Sequence, residues 1–148
     1  MNDDWFDLLA ALLDEHAQFL VVGAHALAVH GVPRATQDLD VWIRADAENV
    51  ERVWLSLAAF GAPAEALGIT KADLLRADTV IQFGLPPNRI DLLTSVSGLP
   101  DFERVWNARV EHRVRDRVVP FLGRDDLITN KRASGRKKDL ADIEALGA

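Results

Sequence analysis

The segment Asp38-Leu39-Asp40-Val41-Trp42-Ile43 constrains this chain more tightly than any other. Val, Trp and Ile favour a strand, and strand alternation points Asp38 and Asp40 to one side, Leu39 and Val41 to the other. Two carboxylates on one rigid strand repel each other and lose hydration. A Mg²⁺ or Mn²⁺ ion shared between protein carboxylates and substrate phosphates removes that cost. The plainer role for a lone Asp-x-Asp is a strand whose polar side faces water, so the surrounding residues have to decide.

Upstream, Phe19-Leu20-Val21-Val22 reads as an apolar strand that meets Gly23 and continues as an alanine-rich helix from Ala24 to His30, closed by Gly31. Backbone N–H groups at such a helix start face an anion, and a glycine lets a phosphate approach without a Cβ in the way. Strand-glycine-helix joints are common in α/β proteins. This one gains meaning from Asp38 and Asp40, whose metal ions would bridge the same phosphates.

From these motifs the chain resembles the nucleotidyltransferase fold superfamily related to DNA polymerase beta. The superfamily pattern runs apolar-Gly-(Gly or Ser), a short helix, Asp-apolar-(Asp or Glu)-apolar, and a third carboxylate on a later strand. Here Val22-Gly23-Ala24 leads through Arg34-Ala35-Thr36-Gln37 to Asp38-Leu39-Asp40-Val41, and Asn88-Arg89-Ile90-Asp91-Leu92-Leu93 offers Asp91 as the third acid. Arg34-x-Thr36-x-Asp38-x-Asp40 is similar to the stand-alone bacterial branch that includes abortive-infection nucleotidyl transferases and toxin-antitoxin partners. So are the closing residues Leu127-Ile128, Lys131, Ala133, Gly135 to Leu140 and Asp142-Ile143.

The resemblance implies an α/β (α+β) nucleotidyltransferase fold, with a mixed, mainly antiparallel sheet flanked by helices. It also implies a metal-dependent enzyme that moves a nucleoside monophosphate from an NTP to a hydroxyl of RNA or protein, in a toxin-antitoxin setting with a partner protein. Asp38, Asp40 and Asp91 would be the catalytic and metal-binding residues. Gly23, Ala24, His25, Arg34, Thr36, Lys131, Arg136 and Lys137 would meet the nucleotide, with Lys131 foremost for the triphosphate. Arg34 would clamp phosphate or hold the Asp-bearing loop. Ala24 departs from the usual Gly or Ser and removes a hydroxyl donor; His25 is a substitute donor or a residue covering the helix start. His30 is expected at the helix end, interacting with its dipole. Asp91's plainer role is an exposed acid or a partner for Arg89.

With 148 residues the chain is expected to form one domain, residues 1–148, with no separate acceptor-binding domain. It has no cysteine, hence no disulfide framework or thiolate metal site. An acidic start, Met1-Asn2-Asp3-Asp4-Trp5, and no apolar run of membrane-spanning length lead to the expectation of a cytoplasmic protein. Net charge is −6, unevenly spread. Residues 1–60 hold three Lys/Arg against ten Asp/Glu, and residues 104–138 hold eleven against four. The basic half is expected to meet a triphosphate, an RNA backbone or an acidic partner. Solvated helix faces and charged strand edges account for many of its residues singly.

Periodicity predicts helices over about 4–15 and 47–59 and a short one near 71–76 within a linker over 62–77. Trp54 belongs to the apolar face of the second and is expected to pack, not to stack on a base. Strands are predicted over 79–85 and 89–94 around Pro86-Pro87-Asn88. After Gly98 come a short helix and a charged hairpin, 109–114 and 118–122, turning at Arg115-Asp116-Arg117, then two helices meeting near Ser134-Gly135. A second reading, from a different class, is a binding module that keeps the fold and masks a partner, with Ala24 as a sign of lost catalysis. A PD-(D/E)xK-type nuclease fits less well, because no Glu-x-Lys follows Asp91.

Overall fold

Strand alternation divides this molecule into two unlike layers. In the computed structural model, which describes residues 1–148, β1 (Phe19–Val22) sends Phe19 and Val21 to one face of the sheet and Leu20 and Val22 to the other. β2 (Asp38–Ile43) sends Leu39, Val41 and Ile43 to the first face and Asp38, Asp40 and Trp42 to the second. The sheet is completed by β3 (Val80–Phe83), β4 (Arg89–Leu93), β5 (Val110–Val114) and β6 (Arg117–Phe121), in the order β3-β4-β2-β1-β6-β5. Three of the strand pairs are antiparallel, β1 with β2, β3 with β4 and β5 with β6. Two are parallel, β1 with β6 and β2 with β4, so the sheet is mixed and mainly antiparallel.

The first face carries α1 (Asp3–Asp14), α3 (Ala47–Phe60) and α4 (Lys71–Leu75), whose Trp5, Leu8, Leu12, Val50, Val53, Leu57 and Leu74 close a continuous apolar core. α1 starts where the Asn2 side chain accepts the Trp5 N–H at 2.8 Å. α3 starts at Asp46 in the same way and ends at Gly61, in the left-handed conformation with φ 95°. Trp54 packs against this core with Lys71 over its ring, as its helical spacing predicts. The second face carries α2 (Gly23–Val29), α5 (Phe102–Asn107), α6 (Arg124–Ser134) and α7 (Lys137–Ala145), around a smaller core that includes Leu20, Trp42, Val105, Leu127 and Ile143.

One expectation is corrected here. The hairpin turns on Arg115-Asp116 alone, with Arg115 at φ 54°, because Arg117 already pairs with Val114 in the ladder. The charge asymmetry is in part internal pairing: Arg115 and Arg117 bond Asp3 and Asp14 of the acidic α1 at 2.8 Å each. Arg115 sits in the β5–β6 turn and Arg117 begins β6, with β1 between that strand and β2, so these arginines stand apart from the carboxylates. No helix is long and apolar enough to cross a membrane.

Candidate functional site

Register builds the site. The antiparallel β1–β2 pair sets Val22 opposite Asp40, and the parallel β2–β4 pair sets Asp38 opposite Arg89 and Asp40 opposite Asp91. Residues opposite one another in a ladder present their side chains on the same face. Asp38, Asp40, Arg89 and Asp91 therefore share the second face, and one oxygen from each of the three carboxylates lies within 4.8 Å of the others. They form the floor of a cleft of about 590 Å³, walled by Gly23 and Ala24, by the Arg34–Thr36 loop, and by Lys131, Arg136, Lys138, Asp139 and Asp142 from the C-terminal helices. A larger open groove of about 840 Å³, lined by Trp42, Leu99 and Phe102 among others, lies beside it and holds none of the three acids.

The triplet is crowded. Asp40 has its pKa pushed up to about 7, first by burial and then by repulsion from Asp38 and Asp91. Arg89 offsets part of this charge: its Nη2 donates to Asp38 Oδ2 at 2.6 Å and lies 3.3 Å from Asp91 Oδ2. Thr36 Oγ1 lies 2.9 Å from Asp38 Oδ1 and accepts the Asp38 N–H at 3.3 Å. Its hydroxyl thus orients Asp38. Gly23, at φ +68°, is required by the same crowding, since a Cβ there would stand 2.5 Å from Asp40 Oδ2. Its place against Asp40 adds a reason for glycine that phosphate approach alone did not supply.

The cations at the cleft wall are paired inside the protein. Lys131, 9% exposed, lies 3.3 Å from Asp139 Oδ1 and 3.2 Å from Asp142 Oδ2. Arg136 Nε donates to Asp139 Oδ2 at 2.8 Å, and Arg34 bonds Asp142. Burial alone would raise the Asp139 pKa, but hydrogen bonds from Arg136 and Lys131 hold it below the ordinary value. Arg34 and Arg136 keep outward surface, with side chains 43% and 61% exposed, while Lys131 is almost covered.

Residues 5–147 match the family described as nucleotidyltransferase of unknown function (DUF6036). The chain belongs to this nucleotidyltransferase family. No curated protein matches it. Among the residues that the family resemblance named, Gly23, Ala24, Arg34, Thr36, Asp38, Asp40, Asp91, Lys131 and Arg136 come together in the cleft of this family member. His25 and Lys137 do not line it. His25 packs edge-to-face on Trp5 at 4.9 Å and covers the helix start, and burial lowers its pKa and favours a neutral ring. Lys137 is exposed at the start of α7, and its neighbour Lys138 lines the cleft instead. His30 sits at the end of α2 as expected, but its Nε2 bonds the Leu122 carbonyl at 2.8 Å, tying that helix to the end of β6.

Sequence reasoning missed Asp139 and Asp142 as partners of the basic residues and treated Arg89 only as an alternative partner for Asp91. The alternation Arg89-x-Asp91 was the signal for Arg89. For α7, spacing of three along a helix puts Asp139 and Asp142 on one side.

Proposed function

We propose that this protein is a metal-dependent nucleotidyltransferase that moves a nucleoside monophosphate from an NTP to a hydroxyl of RNA or protein. The observation that carries the reading is the carboxylate triplet on adjacent strands, at the floor of a cleft in a chain of this family. The fit to divalent ions rests on three features: an all-oxygen donor set, a Gly23 whose missing side chain leaves Asp40 its room, and an Asp91 Oδ1 that is buried without a hydrogen bond. Asp38, Asp40 and Asp91 would hold the ions, which when bound lower the pKa of the attacking hydroxyl and neutralise the triphosphate and the departing pyrophosphate.

In the transfer, the acceptor oxygen bonds to the α-phosphorus, the bond to the β-phosphate bridge breaks, and pyrophosphate leaves. Asp91 takes the hydroxyl proton, as a general base at the inner end of the cleft. Thr36 orients Asp38, and Ala24 gives the nucleotide a backbone N–H without a side-chain hydroxyl. Arg34, Arg136 and Lys138 offer exposed charge to the phosphates; Lys131 acts chiefly by fixing Asp139 and Asp142. The likeness of the Arg34–Val41 segment and the C-terminal helices to the toxin-antitoxin branch extends the proposal to a partner protein encoded alongside.

Thermal unfolding with NTP plus Mn²⁺, compared with either alone, tests binding, and label transfer from α-labelled NTPs to total RNA or to the neighbouring protein tests chemistry. A shift only with both ligands is expected. Asp91→Asn is expected to keep that shift while transfer falls at least about a hundredfold, the low end for loss of a general base. One observation favours the masking module: Arg34, Lys131 and Arg136 are all bonded to Asp139 or Asp142. No shift with NTP plus metal, confirmed by calorimetry, would select that module.

A further inference from the structure

Arg89 is the single cation bonded to the triplet, and its bonding is incomplete. Its Nη2 makes a short bond to Asp38 Oδ2 at 2.6 Å. Toward Asp91 the contacts are poorer: Nη2 to Oδ2 is 3.3 Å, and Nε lies 3.2 Å from Oδ1 at an angle that makes no hydrogen bond, leaving both of those buried atoms without a partner. Gln82 reaches Asp91 Oδ2 only at 3.4 Å. Arg89 does not bond Asp40, the most crowded of the three acids. Nε and Oδ1 attract as an ion pair but neither gains a hydrogen bond from it, so this half of the Arg89 contact is weaker than the bond to Asp38. It is the half given up when Asp91 turns Oδ1 to another cation and the guanidinium turns its Nε–H to water. The guanidinium has a way out, since the Arg89 side chain is 35% exposed.

Its backbone, by contrast, is held. Arg89 lies in the β2–β4 ladder opposite Asp38, and its carbonyl accepts the Trp5 indole N–H at 3.1 Å. A long side chain on a fixed Cα, exposed at its outer edge, can withdraw without moving the strand. Lysine would keep the charge but lose the second nitrogen, Nε, that faces Asp91 Oδ1 while Nη2 bonds Asp38 on the neighbouring strand.

Building on the metal-dependent reading above, we propose that Arg89 is a resident counter-ion of the site: it holds Asp38 and Asp91 together in the metal-free protein and is displaced outward when a divalent cation enters. Metal binding then includes the loss of one ion pair. The wild-type site is consequently weaker for metal, and the empty site more stable, than three bare carboxylates would be.

Calorimetric Mn²⁺ titration of wild type, Arg89→Gln and Arg89→Lys, with unfolding of each followed in chelator and in Mn²⁺, tests this. Arg89→Gln is expected to bind Mn²⁺ about tenfold more tightly, as removal of a like charge within a few ångströms predicts. It should also melt lower than wild type in chelator and recover with Mn²⁺. Arg89→Lys, which keeps the charge and loses the fork, should fall between. Equal or weaker Mn²⁺ binding by Arg89→Gln, where wild type binds, would overturn the counter-ion role and leave the metal reading intact. Absence of binding in both proteins overturns both readings. Binding gained only in Arg89→Gln supports displacement. If Arg89→Gln folds only with Mn²⁺, that too supports the proposal; if it folds in neither condition, weaker binding by Arg89→Lys than by wild type overturns it.

Discussion

The two sides of β2 are made from the same six residues and behave as different materials. Leu39, Val41 and Ile43 are fully buried against α1 and α3, in a core of twenty residues. Asp38 and Asp40, one position out of phase, are half-buried beside like charge, with Trp42 the first apolar residue above them. The first side is held by burial that no single contact dominates. The second is held by register and by one arginine. The large apolar face anchors the strand so firmly that the opposite face can carry carboxylates in repulsion without the sheet moving apart.

The largest effect that sharpens this contrast is chemical. Asp38→Ala and Asp40→Ala are each expected to abolish nucleotide transfer, by more than about a thousandfold, since each removes a ligand of the proposed ions. Both should remain folded by circular dichroism. Transfer that persists in a folded double variant removes these residues from the mechanism.

On the opposite side, Leu39→Ala should leave the carboxylates in place and cost about 2–5 kcal/mol in denaturant unfolding, the range for truncating a fully buried leucine. A loss as small as that of Asp38→Ala would erase the distinction between the faces.

The smallest effect depends on pH. The folded pKa of Asp40, about 7, lies above its unfolded value near 3.8. The proton therefore favours the folded state, and stability present below the unfolded pKa is lost as pH rises to about 7. In chelator, Asp40→Asn should melt above wild type by about 5 °C at pH 8, with the gap narrowing at pH 5. A gap that does not change with pH would mean that burial and repulsion do not raise the Asp40 pKa.

Much of this fold was legible in local pattern. The helix at 47–60 is marked by Asp46 at its start, Gly61 at its end and an apolar stripe between them, all short-range signals. β1 and β2 follow from alternation. The hairpin turn was read one residue too long because ladder pairing, which includes Arg117, is set by the partner strand. That His25 and Lys137 fall outside the cleft lining has a similar cause: neighbours in sequence on a helix point in different directions, and which direction meets the cleft depends on how the helix docks. The basic C-terminal residues looked free for phosphate because their partners, Asp139 and Asp142, are acids of the same segment whose facing becomes visible only once α6 and α7 pack.

The sequence by itself determined that Asp38 and Asp40 share a face, that a glycine precedes a helix after an apolar strand, and that Asp91 sits on a later strand, because period-two alternation and glycine's missing Cβ are local properties of the chain. Tertiary structure alone decided that β4 lies parallel beside β2, so that Asp91 and Arg89 join the pair, and that Gly23 faces Asp40. Those relations depend on register between segments more than fifteen residues apart, and register follows from which apolar faces bury together.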